Sequence, residues 1–519
     1  MAKIWNSTKR MRDLGGWINR LNSDTNIDDN QCIVSNNWGV EWNKVVSLKW
    51  YAAVHKFGSD NTRVQWLSSY WDYLVWIQKS KIYVYNIVTW AEDSLTISWI
   101  SDSDDFNITI GKFIDIYIIV TSRDWLYAPL SYKYVESTTT LTNDSSNFTW
   151  FVSWFKPTSS IFYRGQLLFG WTPTAPSVLY YSKSYVSTDV TPSWYTFNAY
   201  PAWAQTIGDG SPIVWFLSWQ DKIYIWKRNS IWKIDGYTDD GISFAFQITK
   251  QTSTWPINQE SFVNVMQDIF FYDGHSVRRL SYEANTLALK DSAISDNISP
   301  YLWSFPLNQV SATSWFTYPY YKLAIRQELS SDNDFVFTYN VINKSWWTQT
   351  GLVTRHSVSW YAEKWVAYFG SSYDWTIYKD NFTYTYDWQL IPRNYSWKVL
   401  DFWDSIDYKR LTEIEVSWLI APWHLVYIDI IKEWTVIDTR EIYFPSSYWA
   451  TTWSSVIGAT LSGSAWENTP SLLPYVYRFE CYDDWRTFQI WIRDNWVWYF
   501  EIQYLNAMYK FLKSFDIHY

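Results

Sequence analysis

Five histidines (His55, His275, His356, His424 and His518) and 51 acidic residues are the side chains from which this chain could build acid–base or metal chemistry. No two histidines fall in an HExxH arrangement, and none stands with Cys or Asp at metal-ligand spacing. His275 lies in "YDGHSVRR", where a solvent-exposed hairpin tip is expected. Nucleophile elbows, P-loops and GxGxxG turns are missing. Glycoside hydrolysis needs two carboxylates held several ångströms apart across a sugar, and spacing alone selects no such pair from so many.

Two further patterns come close to known chemistry and then depart from it. Ser372-Tyr373-Asp374 resembles the start of the sialidase-type Asp box, but residue 375 and Tyr378 do not continue it in register. Arg278 and Arg279 do not make an acid-sugar clamp by themselves. "GDG" at 208–210 and "IDGYTDDG" at 234–241 suggest calcium loops, yet the EF-hand order with a Glu at the twelfth position is absent, so hairpin turns are expected. The reading is therefore of no catalytic residues, no metal site, no cofactor and no enzyme.

The strongest anomaly is compositional. The chain holds 16 glycines against 41 tryptophans, whereas ordinary usage of about 7% Gly would supply roughly 36. The surplus tryptophans sit where turns belong, after Asp or Asn: Trp38, Trp125, Trp375, Trp388, Trp485 and Trp496. One central residue of a tight turn usually needs positive φ, which glycine adopts without a Cβ penalty. The expectation is that these positions are UGA codons read as glycine by the source organism. The alternative is a truly Trp-rich protein, with aromatic platforms at its turns.

The elements that would carry any site are strands. Residues 46–395 run as "DYLVWIQKSKIYVYNIV", "KFIDIYIIVTSRDWLYAPL", "IVWFLSWQDKIYIWKRNSIWKIDG" and similar units, rich in Tyr, Val, Ile, Phe and Thr with polar breaks. Unit starts recur roughly every 40 to 55 residues, the spacing of four-stranded propeller blades. The predicted fold is all-β: a β-propeller over 46–395, with about six blades and five or seven also open. Residues 1–45 are polar and read as an extended N-terminal arm that needs another surface to order it. Residues 396–519 read as a C-terminal β-sandwich-like accessory domain, with the Ser/Thr-rich stretch 445–474 as a long connection. The net charge of -9 gives no basic face for nucleic acid. Apolar runs are too short for a membrane anchor, and Cys32 and Cys481 read as free thiols.

"LGGWINRLNSDTNIDDNQCIVSNNWGVEWNK" resembles the N-terminal arm of propeller-containing tail proteins of tailed bacteriophages, through Gly15, Gly16, Asn19, Asp28, Gln31, Asn36 and Gly39. Lys49-Trp50 is similar to the Arg-x-Gly element that ends such arms, if Trp50 is glycine. "FYRGQLLFGWTPTAPSVLYYSK", "QDKIYIWKRNSIWKIDG" and "VFTYNVINKSWWTQTG" are similar to blades of the same proteins, which include the nozzle or distal hub of short-tailed phages.

The resemblance implies a virion structural protein, assembled in the host cytoplasm into a ring of about six copies around a DNA ejection channel. Its partners would be adjacent tail or portal-adaptor proteins, with DNA passing without sequence-specific binding. A host-attachment propeller that binds a surface receptor, with Tyr373 or Tyr384 stacking on sugars, is the alternative. A glycan-degrading propeller enzyme is the third.

Overall fold

A strand that is apolar on both faces must lie between two layers. Ile116–Ser122 (IYIIVTS) is buried at every position, while Glu92–Thr96 alternates exposed and half-buried residues. The fold explains both. The computed structural model describes residues 6–11, 32–56 and 63–511, apart from internal segments of which 183–203 and 444–472 are the longest. Within it, antiparallel four-stranded meanders stand side by side, apolar second strands inside and polar fourth strands at the rim.

Blade 1 comprises Trp66–Tyr70, Tyr73–Gln78, Lys81–Asn86 and Glu92–Thr96, and blade 2 runs from Phe106–Lys112 to Thr140–Asn143. Blade 3 runs from Ser159–Tyr163 to Ala204–Thr206, blade 4 from Ile213–Trp219 to Gln247–Thr252, and blade 5 from Phe262–Val265 to Ala288–Ala293. The long strand Ser345–Trp360 serves two blades. Its first part pairs with Asn333–Asn340 to finish blade 6, and its second pairs with Val366–Ser371 to begin blade 7. Blade 7 is completed by Thr376–Thr383 and then by Trp50–Lys56, a strand from the other end of the chain. The protein is thus a β-propeller, with seven blades among the described residues, at the top of the expected range.

Each seam between blades is filled by its own apolar layer. Ile77 and Val84 meet Ile108 and Ile118 across seam 1/2, and Leu67 and Trp76 meet Tyr368 and Ile377 across seam 7/1. Seam 4/5 is filled by Trp226 stacked on Phe262, with ring centroids 5.0 Å apart. Genuine glycines permit the closest approaches: a Cβ on Gly111 would strike Phe162 of blade 3, and one on Gly370 would lie 2.7 Å from Val64 of blade 1. Seam 6/7 also holds a buried ion pair, Lys322 Nζ to Asp380 Oδ1 at 2.7 Å, and Asp380 Oδ2 accepts from Trp315 Nε1 at 2.8 Å.

The segment expected as an extended arm ordered by another surface contributes strands that pair with the C-terminal sheets. Asn6–Met11 and the hairpin Trp38–Glu41/Lys44–Ser47 pair with Phe500–Phe511, which joins Lys409–Ile420 and Leu473–Trp485 in one sheet. Cys32–Asn36 pairs with Arg393–Trp397 in a second sheet with Phe488–Asp494, Leu425–Lys432 and Thr435–Tyr443. Ile414 and Val416 of the first sheet pack with Ile428 and Ile490 of the second, giving a sandwich. Cys32–Asn36 also bridges to blade 6, where the Asn37 amide donates to Thr348 O at 2.7 Å. The expected boundary at residue 45 therefore falls inside a hairpin, because the polar N-terminal residues find their ordering surface in the C-terminal sheets. The Cys32 side chain is buried.

Tryptophan occupies several left-handed backbone positions: Trp71 (φ 49°), Trp90 (φ 65°), Trp125 (φ 55°) and Trp171 (φ 56°). Tyr70 and Tyr73 pair, so Trp71-Asp72 is a two-residue hairpin loop with positive φ only at its first position, where glycine is the usual residue. Trp90 ends a loop in which Asn86 Oδ1 accepts from the amides of Val88 and Thr89, each at 2.9 Å. Asn340 does the same for Ile342 and Asn343, with Lys344 (φ 55°) in the place of Trp90. Trp71 and Trp90 stand 67% and 76% exposed. Trp125 is half-buried against Trp171, centroids 5.2 Å apart, with a buried and unpartnered Nε1. Trp38 and Trp485 lie in strands, and Trp375, Trp388 and Trp496 lie outside the described residues.

Three outcomes are expected in urea denaturation. Gly370→Val should cost about 1–3 kcal/mol through overpacking of seam 7/1. Trp71→Gly and Trp90→Gly should each be neutral or stabilising by about 1 kcal/mol, the strain of an L-residue in the left-handed region, whereas Trp315→Ala should lose about 3–5 kcal/mol.

Candidate functional site at the propeller axis

Charged side chains placed just ahead of an innermost strand arrive at one end of the ring axis, because every blade begins there. Arg63 and Gln65 precede or open blade 1, Asp104 and Asp105 precede blade 2, Gln259 and Glu260 precede blade 5, and Arg355-His356 opens the inner run of blade 7. Arg123 joins them from the loop after the second strand of blade 2.

These groups tie together blades that are not neighbours. Asp105 receives Arg355 Nη2 from blade 7 at 3.1 and 3.3 Å, and Arg63 Nη2 from blade 1 at 3.4 Å. Arg123 Nη1 donates to Glu260 Oε1 of blade 5 at 2.7 Å, and its guanidinium lies 5.6 Å from the centroid of Trp66. Asn107 and Gln259 exchange amide hydrogen bonds between blades 2 and 5. Trp66 of blade 1 meets Trp215 of blade 4 at 6.0 Å. Blades 1 and 4 do not adjoin in a ring of seven, so this contact crosses the axis and closes it. The result is an axial cluster in which Trp66 packs against Trp215 and His356, with the partly exposed guanidiniums of Arg63, Arg123 and Arg355 around them.

His356 is 2% exposed, packed 5.0 Å from the Trp66 ring, with Nδ1 2.7 Å from Glu260 Oε2. Nδ1 thus faces the Glu260 carboxylate, while Nε2 has no hydrogen-bond partner among the described residues. Burial pushes the His356 pKa down, opposed by Glu260, while Arg355 and Arg123 lower it further. The imidazole is therefore neutral near pH 7. Burial works to raise Glu260, but His356 and Arg123 outweigh it and hold the carboxyl below its usual range. Asp105 is likewise held low against burial, chiefly by Arg355 and Arg123. Asp124, which burial and Asp105 push up, is the exception. Asp104 is turned away, accepting from Tyr127 Oη at 2.9 Å and from the Ser101 amide at 2.8 Å.

The other sequence candidates lie elsewhere. His275 is exposed in its loop, with its amide on Asp273 Oδ1 at 2.8 Å. Arg278 and Arg279 sit in blade 5, paired with Asp273, Asp291 and Asp268. The carboxylate of the 208–210 loop, Asp209, is taken by the buried Lys227 (2.6 Å) and by Ser230 (2.6 Å). Ser372, Tyr373, Asp374 and Tyr384 lie outside the described residues. No group of three or more His, Cys, Asp or Glu placed to hold a metal occurs among the described residues. The sequence reading missed the axial cluster. Its one available signal was a charged or amide residue directly before the first strand of successive blades.

No protein-family model and no curated protein matches the chain. Among solved structures, it is similar to the computationally designed Ika8 protein at 8% identity and TM-score 0.35, covering 64% of this chain and 99% of that one. It is also similar to a chain of the Mitotic Checkpoint Complex at 9% identity and TM-score 0.36, covering 65% of this chain and 94% of that one. At such scores neither likeness supports an argument about function.

Acid should open this end of the ring. The depressed pKa of His356 contributes stability that is present above its unfolded value of about 6.5 and is lost as pH falls through the folded one. Glu260 and Asp105, also depressed, lose theirs below about pH 4, with the same sign. The melting temperature should therefore fall from pH 7 to pH 5, and His356→Gln should flatten that part of the profile in a calorimetric pH series.

Proposed function

We infer that the protein is a structural component of a bacteriophage tail, a subunit of a symmetric ring of the nozzle or hub type. The observation that carries this reading is the way both chain ends are built into one unit. Trp50–Lys56 closes blade 7, Cys32–Asn36 ties blade 6 to the sandwich, and Asn6–Met11 pairs with the last described strand. Such cross-connection suits a part that bears load, since no blade edge at the closure is left unpaired. The resemblance of the 14–44 segment to tail-protein arms supports the same reading.

In this function about six copies surround the ejection channel, with tail or portal-adaptor proteins above and below. The axial contacts of Trp66 and Trp215 leave DNA to pass between copies rather than through one propeller. The net charge of -9 suits a wall along which DNA slides without counterion-releasing contacts. The turn tryptophans are then glycines in the source organism, and UGG codons at 71 and 90 would end that part of the reading. Host attachment is favoured by one observation, the solvent-facing indoles of Trp71 and Trp90 on neighbouring loops of blade 1, which could stack on sugars.

Negative-stain imaging of the chain with its neighbouring tail proteins tests the assignment. Closed rings of about six copies are expected. Particles that stay monomeric alongside those partners, while binding host glycans, would replace it with the attachment function.

A further inference from the structure

The second sheet of the sandwich ends in an open edge. Among the described residues, Thr435–Tyr443 (TVIDTREIY) pairs with Leu425–Lys432 on one side and with no strand on the other. Thr435, Val436, Ile437, Thr439, Arg440 and Glu441 are exposed, Val436 at 51% and Ile437 at 42%. The strand is rich in β-branched residues and holds neither the Pro nor the Lys that commonly blunt such an edge. A bulge at Ile437 interrupts it, since Ile430 faces Asp438 and Ile431 faces Val436. From Asp438 onward the register is regular. Charged residues on an edge usually repel a second strand, but here two of opposite sign share one face. Arg440 Nε donates to Asp438 Oδ2 at 2.7 Å, on the row that continues to Ile442.

We propose that Thr435–Tyr443 is a self-association edge, through which two copies of the chain join antiparallel strands about a two-fold axis at Thr439. In such a contact each residue stands opposite one of the second copy on the same face, so the axis must pass through a residue. Placed at Asp438, Arg440 or Glu441, it sets a charge against its own copy. Placed at Thr439, it sets Asp438 opposite Arg440 of the second copy and Arg440 opposite its Asp438. The four charges then alternate in sign around the axis, and Thr439 meets its own copy between them. Val436 and Ile437, at the bulge, lie beside residues 441–443 of the second copy, which covers them. The open backbone groups of both edges are satisfied in the same step. This inference does not rest on the tail reading, because it concerns the chain free of other tail proteins.

Sedimentation velocity of the full chain tests it. A reversible monomer–dimer equilibrium is expected, with a Kd of about 10–100 µM for so small an interface. Asp438→Arg sets cations opposite one another, Arg440→Asp sets anions opposite one another, and each alone should weaken the dimer by about tenfold or more. An equimolar mixture of the two variants restores opposite charges in this register and should recover the dimer. Thr439→Cys supplies a second readout, a covalent dimer under mild oxidation that the unsubstituted chain does not form, since the two side chains meet at the axis. Asp429, which accepts from the Thr439 hydroxyl, keeps Arg493 in that variant. A chain that stays monomeric at about 200 µM, well above that Kd, overturns the proposal. So does a dimer that survives both charge reversals or gives no Thr439→Cys cross-link.

Discussion

A blade whose two faces are both apolar has no stable existence alone, and that constraint organises the whole molecule. Each sheet buries its faces only by standing between two others, so the first and last must also meet. Val64, Leu67 and Trp76 at the start of the ring meet Tyr368 and Ile377 at its end, and this seam is as dry as those formed by consecutive blades. The alternation of partly polar outer strands with wholly buried second strands follows directly. Gly111 and Gly370 matter for the same reason, since neighbouring sheets approach there more closely than a side chain would allow.

Closing a ring of sheets leaves an axis, and the axis is where the blades' chemistry differs from their packing. Inner strands begin there with polar residues, because their amides and side chains face a narrow wet space instead of another sheet. Here the space is spanned by pairs from opposite blades, Trp66 with Trp215 and Arg123 with Glu260. Partially buried ion pairs are weak sources of stability but firm sources of register, since leaving one partner unpaired is costly. The cluster thereby fixes how the blades face one another at one end of the ring.

The strand content was legible because it is written locally, in runs such as "KIYIWK" and "SIWKID" that become adjacent strands of blade 4. Blade number was less so. Ser345–Trp360 reads as two strands yet is one, and the last strand of blade 7 lies some three hundred residues from its partner, where no local pattern can announce it. The N-terminal segment reads as an arm in need of an ordering surface, because its polar composition says nothing about which distant sheet will accept it. The axial site was illegible for a related reason. Arg63, Asp105, Arg123, Glu260 and Arg355 are ordinary surface residues in sequence, and only the circular return of the chain collects them. Trp125 was singled out by its place after Asp124, whereas Trp71, Trp90 and Trp171 precede or follow other residues and escaped the Asp/Asn-Trp pattern.

The strand Trp50–Lys56 emerges early from the ribosome, but its partner Thr376–Thr383 is made only after six blades have appeared. Until then one half of the final seam has nothing to pair with, and the other strands of blade 7 do not yet exist. Blades 1 to 6 can stack in order as they are synthesised, yet the circle itself is sealed only once Thr376–Thr383 has been made. The early segment must therefore be kept from pairing elsewhere while it waits.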